Sequence, residues 1–172
     1  VGGHCIPVYP HFVTNQASAT PLLETAREVN TSMPAHTVEL LRQKLENYKM
    51  DLSDASILVL GLTYRPGVAE LRYAPALEVI KLLRDLDSEV YAHDPLLDPE
   101  TITEFDAVPV SRPTDAQGLD GIILATGHEQ YRDLDVELLY DAMDTPIFVD
   151  GREFFDSAHL SSFDYSAIGK AE

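Results

Sequence analysis

The chain has 172 residues, room for one substantial domain and a smaller appendage, with 45% hydrophobic and 24% charged residues, ordinary globular values. Its 29 acidic against 12 basic residues give a formal charge of −17, a field that repels nucleic acid. No apolar run approaches the roughly 18–20 residues of a membrane span, no signal peptide is visible, and a single cysteine excludes a disulfide framework and any multi-cysteine metal site.

The opening Val1-Gly2-Gly3 lacks an initiator Met and reads as a cut inside a loop, so further machinery is expected upstream. Residues 1–19, dense in Gly, Pro and polar residues, read as loop. Thr20-Pro21 opens a helix, since Pro at the first helical position sacrifices no hydrogen bond. Leu22, Leu23, Ala26 and Val29 supply its apolar stripe. Pro34 marks a kink or restart, and Val38, Leu41, Leu45 and Tyr48 form one face of a second amphipathic helix. Two such helices leave an apolar face over, and an oligomer interface is the expected use for it.

From residue 56 the pattern changes. Ile57-Leu58-Val59-Leu60 is a continuous apolar run, the mark of a strand covered on both faces. Gly61 ends it and Pro75 starts a helix with Leu77, Ile80, Leu83 and Leu86 inward. Further strands are expected at 90–92, 108–110, 122–124 and 147–149, with helical stretches around 98–105, 114–118 and 135–142. Strands alternating with helices predict an α/β fold, a Rossmann-like doubly wound parallel sheet over residues 51–172, preceded by a helical segment over 1–50. Ligands bind beyond the carboxyl ends of such strands, which selects 61–72, 93–95, 126–131 and 150–154 as the functional rim.

The first rim segment follows a strand but lacks the GxGxxG spacing of a dinucleotide loop. Arg65 and Arg72 in that segment, with Arg152 past the last strand, place three of eight arginines on one edge of an acidic domain. Guanidinium groups grip phosphate oxygens bidentately, so the trio suits a diphosphate; the alternative is surface pairing with acids such as Glu70 and Asp150. Cys5 lies in Gly2-Gly3-His4-Cys5-Ile6-Pro7, where glycines allow close backbone approach to a substrate. A catalytic thiol needs a neighbouring base or positive charge, whereas a structural one is simply a small buried hydrophobe. The Gly-Gly context favours the nucleophile. His36 and His159 are expected to face solvent. His93 and His128 lie on the rim as either local hydrogen-bonders or catalysts, and no metal-ligand spacing is evident. The evenly spread acid and scarcity of lysine suggest a high-salt cytoplasm.

Three segments carry a family resemblance. VGGHCIPVYP (1–10) resembles the catalytic-cysteine motif of the UDP-glucose/GDP-mannose dehydrogenase family, nearest to its UDP-N-acetylmannosamine-type members. GLTYRPGVAELRYAPALEVI (61–80) resembles its nucleotide-sugar loop, and VDGREFF (149–155) its final-strand motif. The resemblance implies the end of the catalytic loop and part of a helical dimerisation segment in residues 1–50, then the UDP-binding domain. It implies a cytoplasmic homodimer that oxidises the C6 alcohol of a UDP-sugar to a carboxylate with NAD. The NAD domain would lie outside this chain, leaving it inactive alone. Carried over residue by residue, Cys5 is the nucleophile, Tyr64, Arg65 and Arg152 contact substrate, and Arg72 reaches NAD. Tyr9 stands where the family has an aspartate that assists proton handling, and His4 is the candidate replacement. Arg65 replaces a lysine and Ala69-Glu70 a pair of aspartates. A flavodoxin-like binding or regulatory domain with a non-catalytic thiol is the alternative.

Overall fold

A computed structural model describes residues 1–170 of the chain. The helices are α1 (Cys5–Thr14), α2 (Pro21–Asn47), α3 (Pro75–Asp85), α4 (Pro99–Thr103) and α5 (Val136–Asp141). The strands are β1 (Ser56–Leu60), β2 (Glu89–His93), β3 (Val108–Pro109), β4 (Gly121–Leu124), β5 (Ile147–Asp150) and β6 (Asp164–Ala167).

All six strands run parallel in the order β3-β2-β1-β4-β5-β6. That order is the Rossmann one, with the reversal between β1 and β4, and it rules out the flavodoxin-like alternative, whose strands run 2-1-3-4-5. Strand periodicity divides the interior cleanly. Ile57, Val59, Val90, Ala92, Ile123, Ile147 and Val149 pack on one face against Leu41, Leu45, Val79, Ile80 and Leu83. Leu58, Leu60, Ile122, Leu124 and Phe148 pack on the other with Leu119, Tyr131, Leu139, Phe155 and Leu160. This alternation is why the strands read as unbroken apolar runs: both faces are covered.

Three expectations are corrected. Residues 1–19 are not all loop, because Cys5–Thr14 is helical. Pro10 inside α1 cannot donate to the Ile6 carbonyl, and Arg27 supplies that oxygen with Nη1 at 3.3 Å instead. Pro34 does not break α2, which runs 27 residues, about 40 Å at 1.5 Å per residue. Its second half joins the core through Val38, Leu41 and Leu45, whereas Leu22 and Val29 in its first half are exposed. The stretch around 114–118 forms only a 3-10 turn at Pro113–Asp115. The edge strand β6 was not foreseen.

Candidate functional site at the carboxyl rim of the sheet

Four segments meet beyond the strand ends. Gly61 leaves β1 with φ +77°, and a Cβ there would lie 2.1 Å from the Thr126 carbonyl oxygen. Only glycine lets the β1 and β4 exits pass so closely. The loop that follows is held from beneath by side chains. Asp94, just past β2 and 3% exposed, accepts from the N–H groups of Leu62 at 2.7 Å, Thr63 at 3.0 Å and Leu96 at 2.9 Å. His128, just past β4 and fully buried, places Nε2 at 3.0 Å from Asp94 and 2.9 Å from the Thr63 hydroxyl, while Gly67 N–H donates to Nδ1 at 3.3 Å. Burial raises the Asp94 pKa, but the hydrogen bonds from His128, Leu96 and Thr63 outweigh it and hold the carboxyl below its ordinary value. His93, half-buried beside Tyr131, is held below its ordinary value by desolvation, with the Asp94 charge opposing.

The cysteine segment docks on this loop. Cβ atoms added at Gly2 and Gly3 would collide with Tyr73, Pro75 and Tyr64, and Gly3 N–H donates to the Arg72 carbonyl at 3.2 Å. His4 Nδ1 accepts from Arg72 Nη1 at 2.7 Å, which leaves the ring proton on Nε2, facing Glu70 at 3.4 Å. Cys5 is exposed as the first residue of α1, its thiol outside any disulfide.

The third arginine stands on a different carboxylate scaffold. Asp150, the last residue of β5 and fully buried, accepts from the N–H groups of Arg152, Phe154 and Phe155 at 2.8, 2.8 and 3.0 Å and from the Tyr165 hydroxyl at 3.2 Å. Arg152 Nε donates to the Ala125 carbonyl at 2.7 Å. Burial first, then the charges of Arg152 and Arg27, hold the Val1 amino group below its usual value.

The pairing alternative for the arginines fails on these contacts. Glu70 takes the backbone N–H of Arg72, and Asp150 that of Arg152, and neither carboxylate forms an ion pair with a guanidinium. Among the described residues Arg42, Arg112 and Arg132 form carboxylate pairs, whereas Arg65, Arg72 and Arg152 form none. Arg65 lies over the Tyr64 ring instead, 5.7 Å from its centroid. No group of three or more acidic, His or Cys side chains capable of holding a metal occurs among the described residues, and none of their helices is long and apolar enough to cross a membrane.

The comparisons with known proteins fit this geometry. Residues 58–157 match the UDP binding domain of the UDP-glucose/GDP-mannose dehydrogenase family. The chain belongs to that family. It is 31% identical over its whole length to a UDP-N-acetyl-D-mannosamine dehydrogenase of Pyrococcus horikoshii and 28% identical over 98% of its length to a UDP-glucose 6-dehydrogenase of Rickettsia felis. It spans 39% of the length of each. The solved structure of the P. horikoshii UDP-D-ManNAc dehydrogenase superposes with a TM-score of 0.87, covering 98% of this chain and 38% of that one.

Within this family domain, the structure brings Tyr64, Arg65 and Arg72 onto the loop that receives the Cys5 segment, with Arg152 anchored at the neighbouring β4–β5 edge. A cavity of about 770 Å³ lies elsewhere, in the groove between α2 and α3, and none of these residues lines it. Its Arg27, Lys81 and Arg84 are matched by Glu78, Asp85, Glu104 and Asp106, so it lacks the charge imbalance a diphosphate requires. The sequence reading missed Asp94, Asp150 and Thr63 as organisers. Their only trace is polar residues at strand exits, a pattern shared by every sheet of this class.

Proposed function

We propose that this chain is the nucleotide-sugar-binding part of an NAD-dependent UDP-sugar 6-dehydrogenase. The observation that carries the reading is the set of three guanidinium groups left without carboxylate partners on the rim where the cysteine segment docks. Arg65 and Arg152 would hold the diphosphate, with Tyr64 stacked at its side. Residues 51–172 form the nucleotide-sugar domain. Residues 1–50 form the catalytic segment and a helical part whose exposed Ile6, Phe12, Leu22 and Val29 serve a homodimer.

In the proposed reaction the C6 alcohol becomes an aldehyde, then a carboxylate. The Cys5 sulfur adds to the aldehyde carbon, and its proton passes to the carbonyl oxygen, giving a thiohemiacetal. Loss of hydride and the hydroxyl proton gives a thioester, whose C–S bond water breaks to release the acid and the thiol. Two molecules of NAD, which would be held by protein outside this chain, would supply the acceptors for the two hydrides. The rim itself is not built for a dinucleotide, because it lacks GxGxxG and Asp94, the carboxylate past β2, already accepts backbone N–H groups. Arg72 would reach the cofactor from this side. His4 is the proton carrier of the proposal. Its Nδ1 accepts from Arg72 and its Nε2 faces Glu70.

Titration calorimetry with UDP tests the binding half. The chain should bind, and Arg65→Ala or Arg152→Ala should each cost about 1.5 kcal/mol or more, at least tenfold in affinity, as loss of a charge-assisted hydrogen bond does. A folded chain that ignores UDP refutes the reading. In the longer protein, UDP-sugar oxidation to the acid that survives Cys5→Ser refutes the nucleophile.

A further inference from the structure

Tyr64 and Arg65 sit on a loop that closes on itself through the Tyr64 N–H, which donates to the Glu70 carbonyl at 3.0 Å. Side chains from two other strand exits add further fixed points. Asp94 Oδ2 takes the N–H groups of Leu62 and Thr63, at the loop's start. Gly67 N–H, beyond Arg65, donates to His128 Nδ1. That bond requires an unprotonated Nδ1, so the ring carries its proton on Nε2, where it is shared between Asp94 Oδ2 and Thr63 Oγ1. The Thr63 hydroxyl is then free to donate to the Arg65 carbonyl at 3.3 Å, and the Thr126 hydroxyl donates to the Thr63 carbonyl at 2.6 Å. Backbone groups of residues 62, 63, 65 and 67 are thus all tied to one buried cluster, while the side chains of Tyr64 and Arg65 project from the span between them.

We propose that the buried Asp94–His128 pair is the positioning element of this nucleotide loop, clamping it on either side of Tyr64 and Arg65 so that both are presented ready to bind. Both residues act through the loop and neither touches the nucleotide. The inference rests on the reading of the rim as a UDP site. The physical reason for a buried carboxylate–imidazole pair here is its geometry: a neutral imidazole offers a donor and an acceptor about 2 Å apart on one rigid ring, which bridges a carboxylate and an amide that cannot meet directly. An apolar residue would fill the volume and hold neither group. A loop held in its bound shape avoids the ordering cost that a mobile one pays on binding.

Two measurements on the chain test this, one independent of ligand. Hydrogen exchange of the unliganded protein should show the Leu62, Thr63 and Gly67 amides protected, and His128→Leu should speed their exchange by about tenfold or more while residues 57–60 stay slow. In calorimetry His128→Leu should weaken UDP binding by about tenfold, and His128→Gln, whose amide can donate to Asp94 and accept from Gly67, should stay within about threefold of wild type. Leu83→Ala, at the opposite end of α3 and fully buried, provides a destabilised control that should keep its affinity. Should His128→Leu fail to fold, Thr63→Val removes only the shared hydroxyl and should still quicken exchange at Gly67. Loop exchange unchanged in the folded variants overturns the proposal, as does equal loss of affinity in His128→Leu and Leu83→Ala. A wild-type chain that does not bind UDP would sink the functional reading, and the exchange comparison would still decide the clamp.

Discussion

Replacing Asp150 by Asn changes one atom and perturbs both the sheet edge and the arginine that follows it. The carboxylate accepts four hydrogen bonds: Oδ1 from Arg152 N–H, and Oδ2 from Phe154 N–H, Phe155 N–H and the Tyr165 hydroxyl. An asparagine in its better rotamer keeps the carbonyl on the Oδ2 side, retaining three bonds and turning its NH₂ towards Arg152 N–H. Losing one bond to a charged acceptor costs about 1.5–3 kcal/mol, and the three survivors weaken because the acceptor is no longer ionised. The sum is about 3 kcal/mol, roughly a 10 °C fall in Tm for a domain of this size. Thermal and urea melts followed by circular dichroism measure it, and calorimetry should show weaker UDP binding because Arg152 has lost its backbone anchor. Spectrophotometric titration gives a third readout. Burial, and then the Asp150 charge, push the Tyr165 phenol upward, so the variant should titrate lower than wild type. A Tm within about 2 °C of wild type, with unchanged UDP affinity, would refute the role assigned to this carboxylate.

Acid should weaken the fold in two steps. His93 is depressed below its ordinary 6.5, so the unfolded chain takes up the proton first; its stabilisation is complete above 6.5 and declines as pH falls below that value. Asp94 is depressed below 3.8, so its contribution is complete above 3.8 and fades as pH falls further. Urea melts at pH 7.5, 5.5 and 3 should resolve both, and His93→Asn should flatten the first. Gly61→Ala should destabilise by about 3 kcal/mol or more, since a left-handed φ adds to a backbone clash. Gly67→Ala, with φ +72° and open space around its Cβ position, should cost only about 1–2 kcal/mol.

The sheet was legible because its strands are buried on both faces, and runs such as 57–60 and 122–124 have no polar residue to obscure them. β6 was not legible for the opposite reason: Asp164-Tyr165-Ser166-Ala167 pairs only with β5 and carries its hydrogen bonds without an apolar signature. The helix at 5–14 was hidden by Pro7 and Pro10, and a distant guanidinium, Arg27, substitutes for the lost N–H. No local rule contains that contact. Of the site, the arginines stood out as rare cations in an acidic chain, and the glycines beside Cys5 as points of close approach. Asp94 did not stand out, and His128 was visible only as a rim histidine, hydrogen-bonder or catalyst, because their role depends on three strand exits meeting, which only the parallel register brings about.

The same register explains how a chain of charge −17 can offer a site to an anion. Coulomb attraction would draw each rim arginine to a nearby acid, and screening at physiological salt acts only beyond about 8 Å. The rim acids are therefore the ones that must be occupied. Asp94 after β2, Asp150 at the end of β5 and Glu70 in the loop each accept a backbone N–H from the segment they support. Backbone donors satisfy these carboxylates without neutralising them, so their charge remains to orient the loops. Elsewhere on the surface Arg42, Arg112 and Arg132 pair with acids at i±3 or i±4, and Asp115 does so while also accepting the Arg112 backbone N–H. At the proposed site the corresponding change is loss of the Arg152 N–H bond, which would leave Asp150 Oδ1 open to the Arg152 guanidinium.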